Sequence, residues 1–315
     1  MNKLRLLLSI ALLASLQPAF SEEPDKRPIA VAVLDFAVDP DANLPATFGA
    51  DIAQLLNVDL SAEGELAVVE RISLQRLLEE QSMGLSGTVN TETAAQLGTL
   101  TGLEVFVAGR AFKVGRDTFL VARVIGAENG RVFGMRESMK NLDQVSDSAE
   151  SLAAKITHTL KKERAQLLVP PPTKDAHIES LRDLVKGHDS LPSFYISIPE
   201  EHIGRAIPDP AAETEIARTL IALGFPMVQS SSQADFVVTG EAFSEFAMTI
   251  GPLRSCRARL EVKVVDRETG KVVLMDRETT GAADSAEHIA GKNALQKAGL
   301  KVSERVVKAI VQPEA

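Results

Sequence analysis

The alternation of apolar and polar positions divides the first part of the chain into short strands and helices. "IAVAVLDF" at 29–36 is a nearly continuous apolar run, which is typical of a strand buried on both faces. Apolar residues then recur at helical spacing from Phe48 to Leu56, which predicts a helix beginning near Thr47 and ending at Gly64. A strand followed by a helix indicates a layered α/β arrangement.

The next segments extend this pattern into an antiparallel meander closed by a helix. In order, the predicted elements are a strand at 66–70, a helical stretch over 71–103, three strands between 104 and 139, and a helix over 147–168. Asn129-Gly130 favours a tight hairpin turn. Asp147 and Glu150 are spaced as in a capping box.

The remainder of the chain repeats the same order of elements. The predicted elements are a strand at 194–200, a helix over 211–224, a short strand at 225–229, a meander over 234–281, and a closing helix that Gly291 and Gly299 could interrupt. "VAGRAF" from Val107 matches "VTGEAF" from Val238, and Gly130 matches Gly270. Two similar units are therefore predicted, with chance similarity of two hairpins as the alternative.

The two units differ in two places. The first has a helical insertion at 71–103, and the second has a longer first meander turn, interpreted as a loop at 244–256. We predict an α/β (α+β) fold of two similar domains, each with a mixed sheet, a three-strand antiparallel meander and helices packed on it. The predicted divisions are a signal peptide at 1–21, domains at 22–168 and 193–315, and a proline-containing linker with a short helix at 169–192.

The N-terminus predicts export. Lys3 and Arg5 precede an apolar run, and Ala19-Phe20-Ser21 suits cleavage after Ser21; an uncleaved anchor is the alternative. No cysteine lies near this position, so a lipid anchor is not expected there. Cleavage would change the formal net charge from −9 to −11, which disfavours nucleic acid as a partner. A periplasmic location without a membrane-spanning segment is expected.

Residue types that carry chemistry are sparse. Cys256 is the sole cysteine, either a thiol activated by nearby arginines or an ordinary strand residue. Glu200-Glu201-His202 is the best local candidate for a metal site, with an exposed polar loop as the alternative. Asp35 with Glu70 and Arg71 could form a carboxylate pair with an arginine, or a structural cap. We predict no catalytic, cofactor or metal residues, and hence no enzyme.

The ordered segments of the first domain resemble a known family. The "IAVLDF"-type strand, "VVERISLQRLLEEQ", "AAQLG", "EVFVAGRAF" and "AENGRV" follow one another as in the CsgG-like curli-assembly family and the related periplasmic domain of TolB. The resemblance covers 29–163. It implies a periplasmic scaffold, but the place where family members insert a membrane hairpin holds only "KVGRD" at 113–117, too short to cross a bilayer.

A non-enzymatic role in envelope, secretion or surface-fibre assembly is therefore the leading hypothesis. The partners would be envelope or secretion proteins, with self-association in addition. The alternatives are a ligand- or glycan-binding module at the cleft between the domains, and a hydrolase using Asp35, Glu70 or Glu200. The interaction candidates lie where the units differ, and they are Arg71, Leu74, Arg76, Glu80, Phe246 and Met248. Ordinary packing of the inserted helix on the sheet is the alternative for the first four.

Overall fold

A computed structural model describes residues 27–70, 73–74, 90–168, 174–188 and 190–312. The predicted signal peptide and the prolines at 169–173 lie outside the described residues, as does most of the helical stretch predicted between 71 and 90. Among the residues described, no helix combines the length and the apolar character needed to cross a membrane.

The first half contains six strands and four helices among its described residues. In chain order these are β1 Ile29–Val33, β2 Ala37–Val38, α1 Phe48–Ser61, β3 Leu66–Val68, α2 Thr91–Thr101, β4 Val105–Val114, β5 Asp117–Gly126, β6 Val132–Met139, α3 Val145–Lys162 and α4 Arg164–Leu167. In this half, α3 begins at Val145, so Asp147 lies inside its first turn and the predicted capping box at Asp147 and Glu150 is wrong.

The second half adds six strands and three helices. They are α5 Lys174–Val185, β7 Phe194–Ser197, β8 Glu200–His202, β9 Arg205–Ala206, α6 Ala211–Ala222, β10 Phe236–Ile250, β11 Leu253–Asp266, β12 Val272–Asp284 and α7 Glu287–Val311. The strand predicted at 225–229 is reduced to a single bridge, in which Met227 pairs with Phe194.

The strands form two mixed sheets with corresponding pairings. The first sheet has the order β3-β1-β4-β5-β6, and the second has the order β12-β11-β10-β8-β9. In the first, β1 and β2 pair in parallel with β4, one after the other; in the second, β7 and β8 pair in the same way with β10. The predicted α+β fold with two meander-containing sheets is confirmed, while origin by duplication stays a prediction.

Each sheet buries one face under two helices. Leu56 of α1 and Leu152 and Ile156 of α3 pack with alternate residues of β4 and β5, such as Val107 and Leu120. Helices α6 and α7 cover the second sheet in the same manner. Side chains alternate between the two faces of a strand, so the intervening residues point to the opposite, outer face.

Helix α7 is continuous through both of its glycines, contrary to the predicted break. A Cβ atom on Gly299 would lie 2.7 Å from the carbonyl oxygen of Ala212, and one on Gly291 would lie 2.8 Å from Nδ1 of His202. The glycines therefore allow α7 to approach α6 and β8 closely.

The segment 244–256, which was predicted to be a loop, instead continues strands β10 and β11. Strands β10 and β11 remain paired almost to the turn at Gly251 and Pro252. The extra residues of the second half therefore lengthen a hairpin.

Candidate interaction surface

The long β10–β11 hairpin reaches the first sheet. Ile250 at its end forms an antiparallel bridge with Val69, which directly follows the edge strand β3. Gly251, with a φ of 51°, lies against Ala67 of that strand. The tip therefore extends the edge of the first sheet and protects it from pairing with another chain.

A bulge in β10 sets which side chains face the first half. The pairing register shifts between Phe246 and Met248, so Ala247 is an extra residue. Because side chains alternate along a strand, one extra residue reverses the alternation. Ser244 faces α7 before the bulge, whereas Met248 and Ile250 pack with the first half after it.

Helix α2 forms the other side of this contact. Its C-terminal Gly102 has a φ of 69°, and a Cβ atom there would lie 2.7 Å from the carbonyl carbon of Ala282 in β12. Facing it, a Cβ atom on Gly281 would lie 2.5 Å from the Gly102 nitrogen. The hydroxyl of Ser255 donates to the carbonyl oxygen of Thr101. The two halves meet backbone to backbone, where only glycine fits.

One apolar cluster joins the halves. It combines outer-face residues of the first sheet with Leu74, with α2 and with the hairpin end, and its members are Ala30, Ala32, Leu34, Ala67, Val69, Leu74, Ala94, Leu97, Leu103, Phe106, Ala108, Ile125, Ala127, Met248, Ile250, Leu253 and Ala283. Side chains therefore fill this contact. A surface groove of about 310 Å³ lies elsewhere, between α5 and α6 beside Ile178 and Ile221.

The predicted interaction residues separate into three groups. Leu74 and Met248 are buried in the shared cluster and make contacts within the chain. Phe246 is 44% exposed on β10 and is available to a partner. Arg71, Arg76 and Glu80 lie outside the described residues. The two regions in which the halves differ thus contact each other, a relation that the sequence pattern did not reveal.

Beyond the shared cluster, the outer face of the first sheet is basic and aromatic. Two successive cross-strand rows consist of Arg110, Val121 and Arg136, and of Phe112, Phe119 and Ser138. The rings of Phe112 and Phe119 stack at 5.8 Å, and the guanidinium carbon of Arg110 lies 5.8 Å from the Phe112 centroid. Arg110 also donates to Asp39 at 2.7 Å, yet its side chain stays 61% exposed.

The corresponding rows of the second sheet have different chemistry. They consist of Glu241, Glu261 and Arg277, and of Phe243, Arg259 and Thr279. Arg259 donates to Glu261, and Arg257 in the adjacent row donates to Glu245. Two arginines on this face are therefore paired with glutamates of the same face.

The charges of the two meanders show the same contrast. Residues 105–139 carry six basic and three acidic side chains, a net charge of +3. Residues 236–284 carry seven basic and eight acidic side chains, a net charge of −1. The sequence pattern did not reveal the row of Arg110 and Arg136. Aligning "VAGRAF" with "VTGEAF" places Arg110 at the position of Glu241, and this reversal of charge was the available signal.

Glu200 acts as a structural cap. It is buried, and its carboxylate accepts backbone N–H bonds from Ala211, Ala212 and Glu213 at 2.7 to 2.9 Å, at the start of α6. Burial raises the pKa of Glu200, and the three N–H donors oppose that rise. The carboxylate is thus occupied by the helix N-terminus, which disfavours the candidate metal site at Glu200-Glu201-His202. The alternative of an exposed polar loop is wrong, because Glu200 is buried in β8.

His202 belongs to a separate polar cluster. Its Nδ1 atom lies 2.9 Å from Oγ of Ser244, and its Nε2 atom lies 3.8 Å from a carboxylate oxygen of Glu287. The order serine, histidine, carboxylate resembles a hydrolytic triad. Ser244, however, is only 1% exposed and lies under Gly291 of α7, so no substrate carbonyl can reach its hydroxyl.

Cys256 is an ordinary buried thiol in this fold. Burial, with the nearby Glu287 carboxylate, raises the pKa of Cys256 to about 11, and its thiol donates to the Glu287 carbonyl oxygen at 3.3 Å. An activated thiol would require the opposite shift. The backbone carbonyl of Glu70 accepts from Ser73 and Leu74. Within the described part of the chain, no three metal-binding side chains cluster.

Comparison with known families places the first half. Residues 14–119 match the family model described as the curli production assembly/transport component CsgG. Over these residues the chain is similar to CsgG. An envelope or surface-assembly role and an envelope location fit this match, and the family is named for transport and assembly rather than for catalysis. No curated protein matches the chain.

Several solved structures have low-level similarity to the chain. Lipoprotein GNA1162 from Neisseria meningitidis is 16% identical, with a TM-score of 0.30, 42% of this chain covered and 99% of that one. The LpoB C-terminal domain from Escherichia coli is 10% identical, with a TM-score of 0.32, 39% of this chain covered and 90% of that one. The PelC dodecamer from Paraburkholderia phytofirmans is 17% identical, with a TM-score of 0.27 and coverages of 42% and 89%. Scores this low assign no function to this chain.

Proposed function

We propose that the protein is a non-enzymatic periplasmic component that acts in envelope, secretion or surface-fibre assembly through contacts with other proteins. The observation that carries the proposal is the CsgG match over 14–119, whose family is described by assembly and transport. The predicted signal peptide supports a periplasmic location.

The architecture fits a protein that holds partners rather than one that transforms a substrate. The shared apolar cluster, the bridge between Val69 and Ile250 and the contact of Gly102 with Gly281 join the halves into one scaffold. Each sheet then leaves part of its outer face open. Rigid scaffolds with open surfaces suit protein recognition, because little order is lost on binding.

Two alternatives have less support. A ligand site in the cleft between the halves conflicts with the buried cluster that fills their contact. A hydrolase using Ser244 and His202 conflicts with the burial of the serine. A hydrolase using Glu200 conflicts with the three N–H donors that hold its carboxylate.

The test is affinity capture of the tagged full chain from envelope fractions after reversible cross-linking, together with size-exclusion chromatography and light scattering. We expect envelope or secretion proteins to co-purify in defined stoichiometry. A strict monomer without any stoichiometric envelope partner would contradict the proposal. A thermal-shift screen with sugars and small metabolites checks the ligand-binding alternative, because a specific ligand raises the melting temperature.

A further inference from the structure

The most distinctive exposed surface is the outer face of strands β4 to β6. We define the basic face by Arg110, Phe112, Phe119, Val121 and Arg136. These residues lie on the side of the sheet away from α1 and α3, because they alternate with residues such as Ala111 and Leu120 that pack under those helices.

We propose that the basic face binds a short acidic segment of a partner protein, in which carboxylates alternate with apolar side chains. The inference rests on the proposed function and specifies the chemistry of the partner. Arg110 and Arg136 lie in one row on strands two apart, a spacing of about 10 Å. Val121 lies between them, so an apolar group between two carboxylates would match the row.

The arrangement prepares Arg110 for a carboxylate. Arg110 is held between Asp39 and the Phe112 ring, which fixes its planar guanidinium while leaving most of the side chain exposed. Guanidinium groups bind carboxylates with two parallel hydrogen bonds, so a preset orientation lowers the entropy cost of binding. The stacked Phe112 and Phe119 rings provide an adjoining apolar surface.

Charge distribution favours a short segment over an extended anionic surface. The meander of the first sheet carries +3, whereas the chain as a whole carries −9, which leaves −12 on the rest. A membrane or a nucleic acid would bring many negative charges near that remainder and be repelled. A peptide confined to the basic face avoids this repulsion.

The second sheet supplies a control within the same molecule. Arg277 occupies the position in its cross-strand row that Arg136 occupies in the first sheet, but its row contains Glu241 and Glu261. Both arginines are exposed, and reversing either charge changes the net charge by the same amount. The two variants Arg136→Glu and Arg277→Glu therefore separate a local site from a general effect of charge.

The experiment measures binding of a fluorescein-labelled synthetic peptide to the full chain by fluorescence anisotropy. The peptide has the repeat Glu-Ser-Leu-Ser, which in an extended conformation alternates glutamate and leucine on one face. We expect salt-sensitive binding that Arg136→Glu weakens at least about tenfold, while Arg277→Glu changes Kd by less than about twofold. The same peptide with lysine in place of glutamate should not bind. Melting temperatures of both variants should match that of the wild-type chain.

Several results would overturn the inference. Equal loss in both variants would show a general charge effect, and no binding to the wild-type chain would remove the site. Stronger binding to phosphatidylglycerol vesicles, lost in Arg136→Glu, would make a lipid surface the occupant instead. If envelope partners are captured equally by the Arg136→Glu variant, this inference fails while the proposed function stands. If none are captured even by the wild-type chain, the proposed function fails.

Discussion

The two halves build corresponding sheets and then use their outer faces differently. Near the contact between the halves, the outer faces of both sheets are buried by α2, by the shared cluster and by the β10–β11 hairpin. Farther away, the first sheet exposes Arg110 and Arg136 beside stacked phenylalanines, whereas Arg257 and Arg259 of the second sheet pair with glutamates of the same face. One strand pattern thus supports two surfaces, and the meander of the first carries +3 whereas that of the second carries −1.

The largest expected effect comes from the contact that joins the halves. Gly102→Ala should lower the free energy of unfolding by about 3 kcal/mol or more, because the new Cβ atom would meet the backbone of Ala282. Gly270→Ala is the matched control, since both glycines have a φ of 69° and nothing lies within 4 Å of the Cβ position at Gly270. That control should cost about 1 to 2 kcal/mol, measured by urea unfolding. Equal costs would mean that the halves are not tightly joined here.

The hairpin ends provide the next comparison. Ile250→Ala should cost about 3 kcal/mol, because Ile250 is fully buried against the first sheet. Val114 ends strand β4 of the first half but is 59% exposed, so Val114→Ala should stay within about 0.5 kcal/mol. Chemical unfolding measures both. A similar small cost for the two variants would contradict the intramolecular role of the long hairpin.

Helices α1 and α6, which follow the first parallel strands of their sheets, also begin differently. In α1, the Thr47 hydroxyl donates to Asp51, whereas α6 begins on the distant, buried carboxylate of Glu200. Glu200→Gln places an amide donor against backbone N–H groups and should cost about 2 kcal/mol of unfolding free energy. Glu201→Gln, at the exposed neighbouring position, is the control and should cost less than about 0.5 kcal/mol. Similar costs for both would reject the cap.

The smallest effect is a pH dependence specific to the second half. Burial lowers the pKa of His177, while Glu304 and Glu215 oppose this and Ser303 lies 3.3 Å from the ring. The folded state therefore favours the neutral ring, and stability should fall as pH drops below the ordinary value of about 6.5, where the unfolded chain takes up the proton. His177→Gln should flatten the dependence of unfolding free energy on pH between 7.5 and 5.5, flanking that value. His188→Gln is the exposed control, and an unchanged slope in His177→Gln would refute the assignment.

Sequence periodicity predicted the mixed sheets, both meanders and their closing helices, because alternation and helical spacing are local properties of the chain. It mistook 244–256 for a loop, because a bulged strand at a contact loses its simple alternation. Gly291 and Gly299 were expected to interrupt the closing helix. They instead allow close packing against Ala212 and His202, which are distant in the sequence and so leave no local pattern. Leu74 and Met248 were expected to meet a partner, and both are buried in the cluster that joins the halves.

The basic face was missed for a related reason. Arg110, Val121 and Arg136 are separated along the chain, and only the register of three strands brings them into one row. Composition pointed the other way, because the net charge of the whole chain is −9. The positive charge of this face is apparent only from the strand register, which places the arginines in one row.

The most direct test of the account is photo-cross-linking in cells from equivalent positions on the two open faces. A benzophenone amino acid replaces Ser138 in the first sheet or Thr279 in the second, which occupy the same place in their cross-strand rows. We expect a discrete cross-linked protein adduct from position 138, and we expect this adduct to be lost when Arg136→Glu is added. No adduct is expected from position 279. Adducts from 279 alone, or equal adducts from both positions, would contradict it.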